Sequence, residues 1–183
     1  FQGERIALSI FNSTSRTVFP LTDDYDLVSS QLTKAADALR GVESQDDIDK
    51  MSDKDYQKIA DWLEGTQNRK NSTSLIGDGL VSCAAMIPGF AYGDTSGAAR
   101  QRPASIVLAT DNVASGTPTY SLAQALDMAE ASHISVDGLF SGPRQSVGDA
   151  TTTEMKQQIE SRGGTFLTQS GSSDINELVR QID

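Results

Sequence analysis

An apolar run stops on an acid at Asp111. In "SIVLATDNVASG" (Ser105 to Gly116), Ile106, Val107, Leu108 and Ala109 read as a buried strand, and Thr110, Asp111 and Asn112 follow at once. Asp and Asn are ordinary turn residues, because their side chains bond to nearby backbone. In an open parallel sheet, however, the carboxyl ends of the strands are also where ligands bind. A carboxylate there can serve a hard cation. The other chemistry-bearing residues offer less. The single histidine, His133, lies between a helical pattern and a strand pattern and reads as a helix-end residue. The single cysteine, Cys83, lies in the apolar "GLVSCAAMI", cannot form an internal disulfide, and reads as a buried structural thiol. There is no Gly-x-Gly-x-x-Gly, P-loop or Gly-x-Ser-x-Gly, and nothing places a nucleophile near His133. The chain therefore does not read as an enzyme.

The elements that must position Asp111 follow from periodicity. "RIALSIF" (Arg5 to Phe11) and "RTVFPL" (Arg16 to Leu21) read as strands, joined as a hairpin by "NSTS". Pro20 marks the second as an edge strand or a strand end. Val28, Leu32, Ala35 and Leu39 form one face of a helix. Ser52 with Asp55 resembles a capping box, and Tyr56, Ile59, Ala60 and Leu63 follow as the face of a second helix, stopped by Gly65. On this pattern Tyr56, Ile59 and Leu63 face the body and Trp62 lies off the stripe. "LIGDGLVSCAAMI" opens another helix, whose Gly77 and Gly79 lower its propensity and suggest close packing.

From Ser105 onward strand and helix alternate. "ASIVLATD" is followed by a helix on Leu122, Ala125, Leu126 and Ala129. Then come the strand "ISVDGLF", a short helix marked by Met155 and Ile159 before Gly163 and Gly164, the strand "TFLTQ", and a last helix on Ile175, Leu178, Val179 and Ile182. Such alternation signals a parallel sheet covered by helices. Ser141 to Thr153 and Pro88 to Pro103 read as long loops.

Bulk composition agrees with one domain. The chain has 183 residues, 37% hydrophobic and 22% charged. Its net charge of −10 argues against a nucleic-acid partner and suits either solubility or a cation site. No apolar run approaches a membrane span. Two sequons, Asn12-Ser13-Thr14 and Asn71-Ser72-Thr73, would be acceptors only in a secreted eukaryotic protein.

Five segments in order resemble the von Willebrand factor type A domain. "GERIALSIFNSTSRTVFPLTDDYDLV" resembles its second and third strands and second helix. "SLIGDGL" resembles its Thr-x-Ile-Gly-x-Gly-Leu segment, with Ser74 in place of the Thr. "VLATDN" resembles its Leu-Thr-Asp-Gly. "ALDMAEASHISVDGLFSG" and "RGGTFLTQS…INELVRQI" resemble its closing strands and helices. The likeness spans the chain except residues 41–70, which read as a helical insertion beside the metal face.

The resemblance implies an α/β, Rossmann-like, mostly parallel sheet with one antiparallel edge strand and helices on both faces. It also implies a metal-ion-dependent adhesion site. There Ser74 and Asp111 would be metal ligands, Ser74 directly and Asp111 through water, with Thr73 an alternative to Ser74. The ion would be Mg²⁺ (or Mn²⁺ or Ca²⁺), bound by oxygens with one position open to a partner's carboxylate.

The family's Asp-x-Ser-x-Ser is absent from these 183 residues, and with it the family's first strand and helix. The expected strand order is therefore the Arg16 strand at the edge, the Arg5 strand, an empty position, then the strands at Ser105, Ile134 and Thr165. The missing strand would come from a preceding segment, from another chain, or from a rebuilt sheet, the first being favoured. Metal binding by this chain alone would be weak or absent. The function so implied is recognition of a protein or matrix ligand that presents a carboxylate. The implied location is extracellular or at a bacterial cell envelope, with membrane attachment only through regions outside this chain. The alternative is a scaffold subunit of an intracellular ATPase- or chelatase-associated assembly.

Overall fold

The structure, a computed structural model, describes residues 3–40, 47, 49–92 and 103–168. The expected last helix lies outside these residues, as does most of the Pro88 to Pro103 loop.

The chain opens with β1 (Ile6–Phe11) and β2 (Ser15–Thr22), an antiparallel hairpin with a register irregularity around Leu8. Pro20 is exposed on β2, which pairs only with β1 among the described residues. Helix α1 (Tyr25–Leu39) starts at Asp24, whose carboxylate accepts from Leu27 N at 2.9 Å. Of the apolar stripe expected on α1 only Val28 is buried; Leu32 and Leu39 are exposed.

Within the segment expected to be a helical insertion, α2 (Asp53–Leu63) is a helix. Ser52 Oγ accepts from Asp55 N at 3.2 Å and donates to Asp55 Oδ2 at 2.7 Å. The helix is followed by Gly65 at φ +81°, a left-handed stop that glycine adopts without Cβ strain. Two expectations are corrected. Helix does not continue to Lys70, since residues 64–70 run as turns into the next segment. Of the predicted inward stripe only Ile59 is buried, while Tyr56 is 54% exposed. Among the described residues the helix packs mainly on α1 rather than in the main core, so one row of contacts suffices. Trp62 is half-buried, its carbonyl accepting from the Arg16 guanidinium at 2.6 Å and its ring lying 5.9 Å from that group.

Helix α3 (Ile76–Ala84) carries the expected tight packing. A Cβ on Gly77 would stand 2.1 Å from Tyr120 O, and one on Gly79 would stand 2.5 Å from the Phe11 ring. The second half of the chain is β3 (Ala104–Thr110), α4 (Leu122–Ala131), β4 (Ile134–Phe140), a 3₁₀ turn (Arg144–Gly148), α5 (Ala150–Glu160) and β5 (Phe166–Thr168). The loop expected from Ser141 to Thr153 is thus shorter, because a 3₁₀ turn and the start of α5 occupy most of it. α4 begins with a full capping box, Ser121 with Gln124.

Strands β3, β4 and β5 form a parallel sheet in that order, and β1 with β2 forms a separate one. The fold class is α/β with a mixed, von Willebrand factor A-like arrangement. The main core joins α3, α4, α5 and the parallel sheet through Leu80, Leu108, Leu126, Ala129, Phe140, Met155 and Ile159. The hairpin contributes Phe11 to the edge of that core. β1 and β3 do not pair, yet α3 packs against both.

One expectation about β3 is corrected. Ile106, Leu108 and Thr110 are buried, but Val107 is 42% exposed and Ala109 is exposed too. Among the described residues the strand is covered on one face only, whereas four apolar residues in succession read as buried on both.

Candidate functional site

The carboxyl ends of β1, β3 and β4 lie at one end of the molecule. β3 and β4 are parallel neighbours, and Ser141 N donates to Thr110 O at 2.9 Å just beyond both. β1 is tied to the same end through its turn. Asn12 O accepts from Leu75 N at 2.8 Å and Asn12 Oδ1 accepts from Ser74 N at 3.1 Å. Ser13, 2% exposed, uses one hydroxyl three times: it accepts from Asn68 N and Arg69 N and donates to Thr66 O. Thr14 N also donates to Thr66 O at 3.0 Å. The hairpin turn thereby fixes the loop that leads into α3.

That loop is in turn clamped to the one after β3. Thr73 and Ser115 exchange two backbone bonds of 2.9 Å each, an isolated antiparallel bridge. Gly116, at φ +94°, approaches so closely that a Cβ would stand 2.4 Å from Ser72 Oγ. From α3, Asp78 reaches across: its carboxylate accepts from Thr119 N at 3.0 Å and from Tyr120 N at 2.7 Å. Arg69 lies 3.8 Å from the same carboxylate. Asp78 was not among the residues expected at the site, although the quoted "SLIGDGL" contains it. An acid at the third position of a helix, one turn from a polar loop, was the available signal.

Ser74 and Asp111 sit on these two clamped loops. Ser74 lies just outside the helix: Leu75 is the N-cap and Ser74 precedes it at φ +49°. That left-handed conformation is costly for a residue with a Cβ and is sustained here by the bond from Ser74 N to Asn12. Ser74 is half-buried, and its hydroxyl makes no hydrogen bond among the described residues. Thr73 is exposed and its backbone is spent on the bridge to Ser115. Asp111 is exposed, and its Oδ1 accepts from Val113 N at 3.1 Å, an Asx turn. Asn112 follows at φ +58°, and its buried Nδ2 has no partner among the described residues. Gly142 stands behind: a Cβ there would lie 3.1 Å from Asp111 O.

The donor set is a hydroxyl and a carboxylate, the kind that suits Mg²⁺, Mn²⁺ or Ca²⁺. It is right in kind and small in number: among the described residues no three His, Cys, Asp or Glu gather as a metal-binding group. The remaining candidates stay apart from this end. His133 is exposed at φ +55°, just past the α4 cap at Ser132, and so is a helix-end residue. Cys83 is half-buried on α3, and burial raises its pKa.

No protein-family model and no curated protein matches the chain. Among solved structures, the chain is similar over 100% of its length to an aerotolerance-related membrane protein from Bacteroides fragilis NCTC 9343 with multiple mutations to serines. The TM-score is 0.56 at 16% identity, and 80% of that chain is covered. A membrane spanning protein from Vibrio fischeri matches with a TM-score of 0.30 at 18% identity. The first likeness establishes a shared fold.

Proposed function

We propose that this chain is the body of a protein-binding module that captures a partner's carboxylate through a hard divalent cation. Ser74 would ligate the ion directly through its hydroxyl, and Asp111 through water or its unengaged Oδ2. The observation that carries the reading is the clamping of the Ser74 and Asp111 loops together at the carboxyl end of the sheet, with left-handed backbone at Ser74 and Asn112. Strained backbone is maintained where the surrounding structure over-determines it, and here the Asn12 and Asp78 bonds do so. A cation held by one hydroxyl and one carboxylate keeps net positive charge, which favours an acidic group in the open position. Mg²⁺ holds each ligand oxygen at about 2.0–2.1 Å from the ion and retains several waters. Two protein donors therefore support only weak binding.

The fold shared with a bacterial membrane protein supports a place at the cell envelope. No helix among the described residues is long and apolar enough to cross a membrane, so attachment would lie elsewhere. Titration with Mg²⁺ by calorimetry tests the proposal on wild type and on Asp111→Ala. The expected result is loss of the binding heat in the variant, with Mn²⁺ broadening of amide signals confined to Ser74 and Asp111 in the wild type. Equal affinity in both proteins would falsify the cation site.

A further inference from the structure

We infer that the partner presents two carboxylates on one short acidic segment, and that Arg69 receives the second while the Ser74–Asp111 site receives the first. This rests on the proposed carboxylate capture at that site and names what else the partner must carry. The observation is the state of the Arg69 side chain. Arg16, Arg40 and Arg162 all spend guanidinium N–H groups on hydrogen bonds, to Trp62 O, to Asp37, and to Asp127 with Gln158 O respectively. Arg69 spends none among the described residues. Its Nη1 stands 3.8 Å from Asp78 Oδ2, close enough for Coulomb attraction and too far for a hydrogen bond. The Asp78 carboxylate is already taken, Oδ1 by Tyr120 N and Oδ2 by Thr119 N. Asp78 therefore steers the guanidinium without consuming its donors, and the Arg69 side chain stays 49% exposed.

The backbone behind this side chain is fixed. Asn68 N and Arg69 N both donate to the buried Ser13 hydroxyl, at 3.1 and 3.2 Å. A side chain anchored at its root and steered at its tip loses less freedom on binding. Lys70, next in the chain, is exposed and forms no ion pair among the described residues. In a chain of net charge −10, two adjacent cations on the loop that leads to Ser74 favour an acidic partner. A long polyanion such as nucleic acid would meet the negative remainder of the surface, whereas a short segment with two carboxylates would not. The spacing agrees. Asp78 is three residues past the N-cap Leu75, about 5 Å along the helix axis, and Ser74 directly precedes that cap. Side chains two to four residues apart on an extended segment are separated by about 7–13 Å, which suits one carboxylate at each end of this stretch. The planar guanidinium donates two parallel N–H bonds to a carboxylate, a geometry that lysine does not reproduce.

The test measures binding of blocked peptides in excess Mg²⁺ by fluorescence anisotropy. The probes are peptides with two glutamates two, three or four residues apart, and the same peptides with one Glu replaced by Gln. Wild type should bind the best diacidic peptide about 3- to 10-fold more tightly than its monoacidic counterpart. Arg69→Gln should bind both alike, and Arg69→Lys should keep part of the preference. Mg²⁺ affinity without peptide should not fall in Arg69→Gln, because a positive charge has been removed from beside the ion. A fall there overturns the inference, since Arg69 would then be holding the site together. Asp111→Ala separates the two readings. If it binds neither peptide while Arg69→Gln keeps the wild-type preference, capture through the cation stands and the role of Arg69 is overturned. If Asp111→Ala and removal of Mg²⁺ change nothing while Arg69→Gln abolishes the preference, the cation reading fails and the Arg69 contact with an acidic segment stands. Equal binding of both peptides by wild type overturns the inference. So does displacement of the diacidic peptide by an equal concentration of inorganic phosphate, which would assign Arg69 to a phosphate group.

Discussion

The Asp78 carboxylate and the backbone of Tyr120, forty-two residues apart in the chain, are joined by a hydrogen bond of 2.7 Å. A second bond from Thr119 N makes the carboxylate a two-point anchor for the segment that follows Asp111. Its side chain is only 17% exposed, so the bonds are partly shielded from water. Asp78→Ala leaves two backbone donors without their charged acceptor, at about 1.5–3 kcal/mol for such bonds. The expected outcome is a loss of about 2–3 kcal/mol in urea unfolding, with Asp78→Asn in between. A loss under about 0.5 kcal/mol would show that the loop is held by the Thr73–Ser115 bridge alone.

Asp111 should behave in the opposite way. It is exposed, and its one intramolecular bond caps Val113 N. Asp111→Ala should cost less than about 1 kcal/mol of stability, the value of a single exposed cap. Thermal unfolding of the two proteins without added cation checks this. A large loss would mean that the carboxylate is structural and that its effect on cation binding is indirect.

Gly77 and Gly148 form a matched pair. A Cβ on Gly77 meets Tyr120 O at 2.1 Å and Ser121 backbone at 2.7 Å, while one on Gly148 meets nothing within 4 Å. Gly77→Ala has to push α3 away from the start of α4, at a cost of about 2–3 kcal/mol or more. Gly148→Ala should be neutral or slightly stabilising, by less than about 1 kcal/mol. Denaturant midpoints give both values; similar effects would contradict the close approach of α3 and α4.

Cys83 supplies a pH dependence. Burial raises its pKa above the ordinary 9.0, because the thiolate is poorly solvated there. The unfolded thiol ionises first as pH rises. Stability from this group is thus complete below pH 9.0 and declines as pH passes from there through the folded-state value. Stability measured from pH 8 to about 10 should fall less in Cys83→Ser than in the wild type. At neutral pH the folded protein should react with thiol reagents only slowly.

What the sequence disclosed depended on how unambiguous each pattern was. "ISVDGLF" is the observed β4 from Ile134 to Phe140, because β-branched residues and a preceding helix stop bound it on both sides. Ile106 to Ala109 were read as buried on both faces, yet only alternate residues are. An unbroken apolar run carries no record of which face lacks a cover. The start of α5 at Ala150 was hidden by "TTT", three residues of modest helix propensity that tertiary contact at the buried Thr152 overrides. At the candidate site, Ser74 and Asp111 were legible through the family resemblance. The Asp78 anchor, the Ser13 hub and the Thr73–Ser115 bridge were not, since each joins residues far apart in the chain.

The two unconnected sheets bear on cooperativity. Phe19, Val28 and Ile59 are buried beneath the hairpin, α1 and α2, outside the cluster that unites α3, α4, α5 and β3 to β5. Among the described residues, helix α3, Phe11 and the polar stitching around Ser13 and Asn12 link these two bodies of packed side chains. Backbone ladders transmit unfolding efficiently, and none runs from β1 to β3. The hairpin side can therefore open while the parallel sheet stays folded, as a separate unit with its own, smaller free energy. A partner or a strand that bridges β1 to β3 would do more than add contacts. It would fuse two folding units into one, so occupancy of that position would be read out as the merging of two unfolding steps into a single transition.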